Sequence, residues 1–243
     1  SDVFKRQEWI IAMFAIAKIG AVTVAISTFS TKRELMWTLK HSQSRCVISI
    51  SAIKNQNFIR LLKQLCPEYV SAEPGNLASE SLPNLKNIIA IEENSNGAII
   101  GWHDLRKISV QTNITTLQNV QAKVEQEEVC FILYTSGSTA DPKGVMLAHG
   151  NVITNGFYIG ERQALSELDR LWFAVPLFWS FGSANALPAV ITPGGCLILQ
   201  ETFDPNEALE LMATEKCTVF YGMVNMAVSY THLRAHETRH DLV

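Results

Sequence analysis

The chain has 243 residues, enough for one large domain or two small ones, and 47% of them are hydrophobic, enough to fill a core. Twenty Lys and Arg against 23 Asp and Glu leave a net charge of −3, which gives no electrostatic basis for a nucleic-acid partner. The five cysteines (Cys46, Cys66, Cys130, Cys196, Cys217) are odd in number, widely scattered and without a C-x-x-C spacing. That excludes a disulfide scaffold and points to a reduced, cytoplasmic protein in which cysteine packs as a small hydrophobe.

Trp9 to Phe29 is long enough to span a bilayer but carries Lys18, which costs ~2.5–3.5 kcal/mol at the centre of a spanning helix. The segment also changes period midway. Gln7–Ile19 has helical recurrence and stops at Gly20, a natural residue to follow a helix, whereas Ala21–Ile26 is β-branched and strand-like. A buried helix followed by a buried strand is therefore expected, with no membrane span; peripheral membrane association is left open. The start of the chain has no signal-peptide layout.

Thr31 and Glu34 form a capping box that opens a helix to about His41. A strand at Arg45–Ile50, a helix from about Lys54 to Leu65 stopped by Pro67, a polar loop from Tyr69 to Pro83 and a strand at Lys86–Ile91 follow. Ser109–Glu128 is poor in hydrophobic residues and reads as a linker. Beyond it come a helix at Asn151–Leu165, a strand at Leu171–Val175, a short helix at Ser183–Val190 and a strand at Cys196–Leu199. Asp204-Pro-Asn-Glu207 starts another helix, to about Lys216, before a strand at Thr218–Tyr221. Alternation of this kind implies an α/β fold with mostly parallel sheets flanked by helices.

The chemistry is concentrated in Tyr134-Thr-Ser-Gly-Ser-Thr-Ala-Asp-Pro-Lys-Gly144, directly after the apolar run Val129–Leu133. Serine and threonine hydroxyls, backbone N–H groups, two glycines and a mobile ammonium suit a loop that wraps a polyphosphate. The pattern is not G-x-x-x-x-G-K-[ST], because Lys143 is followed by Gly144 and then by apolar residues. A strand on each side implies a hairpin.

The string YTSGSTADPKGVMLAHGNV resembles the phosphate-loop signature of the adenylate-forming superfamily, in its acyl-CoA synthetase branch. That superfamily contains acyl- and aryl-CoA synthetases, peptide-synthetase adenylation domains and firefly luciferase. FAIAKIGAVTVAISTFSTKREL, VPLFWSFG and CTVFYGM are similar to further segments, so the resemblance covers about residues 4–227. It implies the large N-terminal domain of such an enzyme, truncated, with a first subdomain and linker at 1–128 and the phosphate loop and a second α/β portion at 129–227.

The resemblance implies a two-step reaction. A carboxylic acid attacks the α-phosphorus of ATP to give an acyl-adenylate and pyrophosphate, and the thiol of coenzyme A then displaces AMP. The acid implied is fatty, alicyclic or aromatic. Thr135, Ser136, Ser138 and Thr139 would donate to the β- and γ-phosphates, Gly137 and Gly144 would allow tight turns, and Lys143 would reach the phosphates. Thr135 is the candidate ligand for Mg²⁺. Phe178, Trp179, Phe181, Gly182, Tyr221 and Gly222 would line the substrate side, with plain core packing the alternative for Trp179.

His149 resembles a residue frequent after the loop and is expected to be structural. Ala140 stands where the family commonly has glycine, and Val224 where it usually has proline. The segment with the adenine-facing aromatic and the Mg²⁺-holding acid, the ribose-gripping aspartate and the small domain with the catalytic lysine are not matched. No catalytic residue is therefore assigned, and the chain as given is expected not to complete adenylation.

His236-Glu-Thr-Arg-His240 fits H-E-x-x-H, a spacing that puts two imidazoles on one helix face for zinc. The stretch 228–243 has almost no apolar face, leaves no third ligand beyond His240, and looks like a translated sequencing adapter, so it is expected to be a non-native tail. The readings that compete with a ligase fragment are a peptide-synthetase adenylation domain, a non-catalytic nucleotide-binding fragment and, least, a zinc hydrolase through His236 and His240.

Overall fold

A computed structural model describes residues 7–53, 56–135 and 142–229. The chain divides into two compact units, one from Gln7 to His149 and one from Gly150 onward. The strand after the expected linker pairs with a strand near the chain start and so belongs to the first unit.

In the first unit, α1 (Gln7–Lys18) leads to β1 (Thr23–Ala25). The helix stops as its sequence dictates. Gly20 has φ of 67°, its N–H reaches the Ala17 carbonyl at 3.0 Å, and the Ala21 N–H reaches the Ile16 carbonyl at 3.1 Å. Among the described residues no helix is long and apolar enough to cross a membrane.

Next come α2 (Lys32–His41) and β2 (Cys46–Ser49). The capping box on α2 is complete: the Glu34 N–H donates to Thr31 Oγ1 at 3.3 Å, and the Thr31 N–H donates to the Glu34 carboxylate at 2.7 Å. Two short strands, β3 (Ala52–Ile53) and β4 (Gln56–Asn57), pair antiparallel ahead of α3 (Phe58–Leu65). The expected helix therefore starts later than Lys54, at an Asn57 side chain that accepts from the Arg60 N–H.

β5 (Asn87–Ala90) and β6 (Ile99–Gly101) complete a parallel sheet in the order β2-β5-β6. Leu35 and Leu39 of α2, Ile59, Leu62 and Leu65 of α3, and Ile88 and Ile99 of the sheet share one buried core. The expected polar loop is less polar in place than in composition, since Leu77 and Leu82 are buried in that core. α4 (Leu105–Ser109) and α5 (Ile114–Gln121) occupy the expected linker, and α5 buries no residue. β7 (Val129–Thr135) and β8 (Lys143–Ala148) then form the sheet β1-β7-β8, in which β1 runs parallel to β7 and β8 antiparallel to it.

α6 (His149–Arg162) crosses the division at its first residue, and the second unit is built on a parallel sheet. β9 (Arg170–Phe173) is its central strand, and α7 (Leu187–Ile191) precedes β10 (Cys196–Leu199). α8 (Pro205–Thr214) leads to β11 (Val219–Tyr221), and the strand order is β10-β9-β11. Leu171, Trp172 and Phe173 are fully buried, as expected of a strand covered on both faces.

α6 lies directly on α7. Cβ atoms built at Gly156 and Gly160 would come within 2.5 Å of the Pro188 ring and 2.8 Å of the Ala189 carbonyl oxygen. On the other side, Asp204 caps α8 through the N–H groups of Asn206 and Glu207. A π-helical turn at Phe181–Ala186 stands where the sequence reads as the start of an ordinary helix. Such turns often accompany functional sites.

Candidate functional site

The loop expected to hold phosphate is slung between β7 and β8, as a hairpin. Thr135 and Lys143 are the last pair of the ladder, facing each other where the strands part. Both side chains are exposed. The Thr135 hydroxyl makes a long 3.5 Å donation to the Lys143 carbonyl. An ammonium and a hydroxyl at the two feet of a Ser/Gly-rich loop are the donors an anionic ligand needs. Ser136, Gly137, Ser138, Thr139 and Ala140 lie outside the described residues.

Gly144 has a different job from the turn expected of it. It sits inside β8, paired with Tyr134, and a Cβ there would meet Ile132 at 3.0 Å and the Tyr134 ring at 3.4 Å. Its bare backbone makes a seat for that ring. Burial pushes the Tyr134 phenol above the ordinary tyrosine value. His149 follows β8, and its N–H donates to the Glu128 carbonyl at 3.0 Å. Its Nε2 is buried without a hydrogen bond among the described residues.

The residues proposed for the substrate side all lie in the second unit and separate into two groups. Phe181, Tyr221 and Gly222 come together with Gln163, Leu165, Val219 and Phe220 around a cleft of about 430 Å³. Phe181 and Tyr221 stack at 5.0 Å with an interplanar angle of 26°. The Tyr221 hydroxyl donates to Asn185 Oδ1, and burial drives its pKa up while a hydrogen bond with Gln163 pulls it back. Gly222 is where a Cβ would strike the Phe220 ring at 2.8 Å.

Phe178, Trp179 and Gly182 are not among the described lining residues. Phe178 is buried, and Gly182 is pressed against the Pro176 carbonyl, where a Cβ would come within 2.9 Å. Trp179 packs edge-on to Phe178 and is 46% exposed, so it is not a core residue of this unit. Gln163, Leu165 and Asn185 were not foreseen. Gln163 and Leu165 follow α6, distant in sequence from Tyr221, and only the fold brings them to it; the polar Asn185 in the apolar run after Gly182 was the one available signal.

Among the described residues no group of three or more His, Cys, Asp and Glu is placed to hold a metal ion. His232, His236 and His240 lie outside them. Mg²⁺ bound with a nucleotide takes most of its ligands from phosphates and water, and the exposed Thr135 hydroxyl fits that modest demand.

Residues 3–242 match the family described as AMP-binding enzyme, and the chain belongs to that family. The match runs into the stretch 228–243 that composition had set apart.

Over 225 residues the chain is 35% identical to YngI of Bacillus subtilis (strain 168), provisionally named an acyl-CoA synthetase, covering 93% of this chain and 41% of that one. It is 31% identical to the mitochondrial medium-chain acyl-CoA ligase ACSF2 of Danio rerio, covering 91% and 37%. The chain thus spans about two fifths of the length of these relatives. Among solved structures, the anthranilate CoA ligase AuaEII in complex with anthranoyl-AMP superposes with a TM-score of 0.68 at 23% identity, over 89% of this chain and 38% of that one. ATP-bound MatB from Rhodopseudomonas palustris superposes with a TM-score of 0.63 at 20% identity, over 93% and 39%. At these identities the structures speak for the fold alone.

Proposed function

We propose that the chain is the nucleotide-holding part of an ATP-dependent, AMP-forming acyl-CoA synthetase located in the cytoplasm. The whole enzyme activates a fatty, alicyclic or aromatic carboxylic acid as the acyl-adenylate and passes it to coenzyme A. The observation that carries this reading is the exposed Thr135–Lys143 pair at the open end of the β7–β8 hairpin, in a chain of the AMP-binding enzyme family.

The physical demand of the first step is that two anions meet and that charge on departing pyrophosphate is stabilised. Lys143 supplies a mobile positive charge for that purpose. The Thr135 hydroxyl, with Ser136, Gly137, Ser138 and Thr139, completes the phosphate-binding set, which Gly144 flanks from within β8. Mg²⁺ held at Thr135 would neutralise further phosphate charge. In the second unit, Phe181, Val219 and Phe220 give the cleft apolar walls suited to the body of an apolar acid, with Tyr221 and Gly222 beside them. Phe178, Trp179 and Gly182 belong to the same proposed substrate segment. The names of the relatives, an acyl-CoA synthetase and a medium-chain acyl-CoA ligase, support the acid and thiol substrates.

Titration of the purified chain with Mg·ATP by calorimetry tests the reading. Saturable binding is expected, weakened roughly ten- to a hundred-fold in Lys143→Ala, the effect of losing a charged hydrogen-bond donor. Absence of binding, or an unchanged affinity in the variant, overturns it.

A further inference from the structure

Tyr134, the residue immediately before Thr135, is gripped from three sides within the first unit. Its hydroxyl lies 2.8 Å from His41 Nδ1. The Trp37 ring meets it edge-on at 5.7 Å, and Trp37 and His41 are themselves stacked at 4.6 Å with their planes 12° apart. Underneath, the ring lies over Gly144, 3.4 Å from where a Cβ would stand. Trp37 and His41 stand one helical turn apart on α2, whose start is locked by the Thr31–Glu34 capping box. A short, well-anchored helix therefore holds the root of the phosphate loop across 93 residues of sequence.

We infer that His41, backed by Trp37, is a positioning residue for the nucleotide: by fixing the Tyr134 ring on Gly144 it sets the direction in which Thr135 enters the phosphate loop and Lys143 leaves it. The inference rests on the proposed nucleotide site and extends it to residues that touch no phosphate. The physical ground is that a loop closed on a ligand loses less freedom when its stem is already fixed. A stacked and hydrogen-bonded aromatic at the last-but-one rung of a ladder fixes that stem where the strands would otherwise fray.

The test compares His41→Ala, Tyr134→Phe, the double variant and His41→Asn, whose amide can take the place of Nδ1. Two measurements are made on the full 243-residue chain: calorimetric affinity for Mg·ATP, and the rate of tryptic cleavage after Lys143 without nucleotide, followed by mass spectrometry. Each single variant is expected to weaken Mg·ATP roughly three- to ten-fold and to speed cleavage after Lys143 by a similar factor. The double variant should be no worse than the worse single one, as for two halves of one contact, and His41→Asn should recover most of the affinity.

If the variants bind Mg·ATP within two-fold of the parent and are cut at the parent rate, the inference is overturned. It is equally overturned if they lose thermal stability while affinity and cleavage stay unchanged, because the contact is then packing only. Should the parent chain fail to bind Mg·ATP, the nucleotide reading falls, and the cleavage rates alone decide whether the three residues hold the loop's root.

Discussion

Tyr221 shows how one side chain joins stability to selectivity. Its ring is stacked on Phe181 in the wall of the cleft, while its hydroxyl is spent on Asn185 in the π-helical turn. Burial favours the neutral phenol, so its titration lies above that of an ordinary tyrosine. In Tyr221→Phe the ring stays and the Asn185 oxygen loses its donor, which costs about 1–3 kcal/mol where water cannot replace it. We expect a lowered Tm with unchanged Mg·ATP affinity, because the phosphate donors belong to the other unit. Tyrosine difference absorbance should lose a component that titrates above the ordinary tyrosine range in the same variant. A fall in ATP affinity equal to that of Lys143→Ala would contradict the division of labour between hairpin and cleft.

At the scale of the element, α2 is the piece whose sequence and role agree most closely. Its capping box draws two donors from Thr31 onto the Glu34 carboxylate, the backbone N–H foremost and the hydroxyl second, and this holds Glu34 below the usual carboxylate range. A carboxyl whose folded pKa is depressed gives stability that is present above its unfolded value, near 4.3, and is lost as pH falls through the folded value. Thr31→Ala should therefore destabilise the chain by about 1 kcal/mol at pH 7, and the difference from the parent should shrink as pH drops below about 4. Urea midpoints across pH 3–7 measure it; a difference independent of pH would mean that Glu34 takes no part.

Other elements were as readable as this one. The Gly20 stop of α1, the Asp204 cap of α8 and β10 at Cys196–Leu199 could be read directly, because each depends on neighbours in sequence. β3 and β4 could not, since two residues carry no period, nor could β6, three residues that end in Gly101. Leu77 and Leu82 were lost among Ser, Glu and Pro, although tertiary packing buries both. The same divide runs through the candidate site. Thr135 and Lys143 were visible as a motif, whereas the Gln163–Asn185–Tyr221 grouping and the seat of Tyr134 on Gly144 exist only after the chain has folded.

For the whole molecule, the proposed reaction asks for more than either unit brings to it. Neutralising a triphosphate and a carboxylate in one site takes several positive or metal-borne charges. The described residues offer Lys143 and a single Thr135 hydroxyl at the hairpin, and no cluster of three metal-ligating side chains. The relatives that share this fold are more than twice as long as the matched stretch, which covers 41% of YngI and 37% of ACSF2. Binding and turnover should therefore separate. A polypeptide of these 243 residues is expected to bind Mg·ATP yet to give no carboxylate-dependent exchange of pyrophosphate into ATP, while a version carrying the additional length of the relatives gives both. The exchange assay, run with a medium-chain and an aromatic acid, measures this. Carboxylate-dependent exchange by the 243-residue polypeptide alone would mean that the two units already hold every group the adenylation step requires.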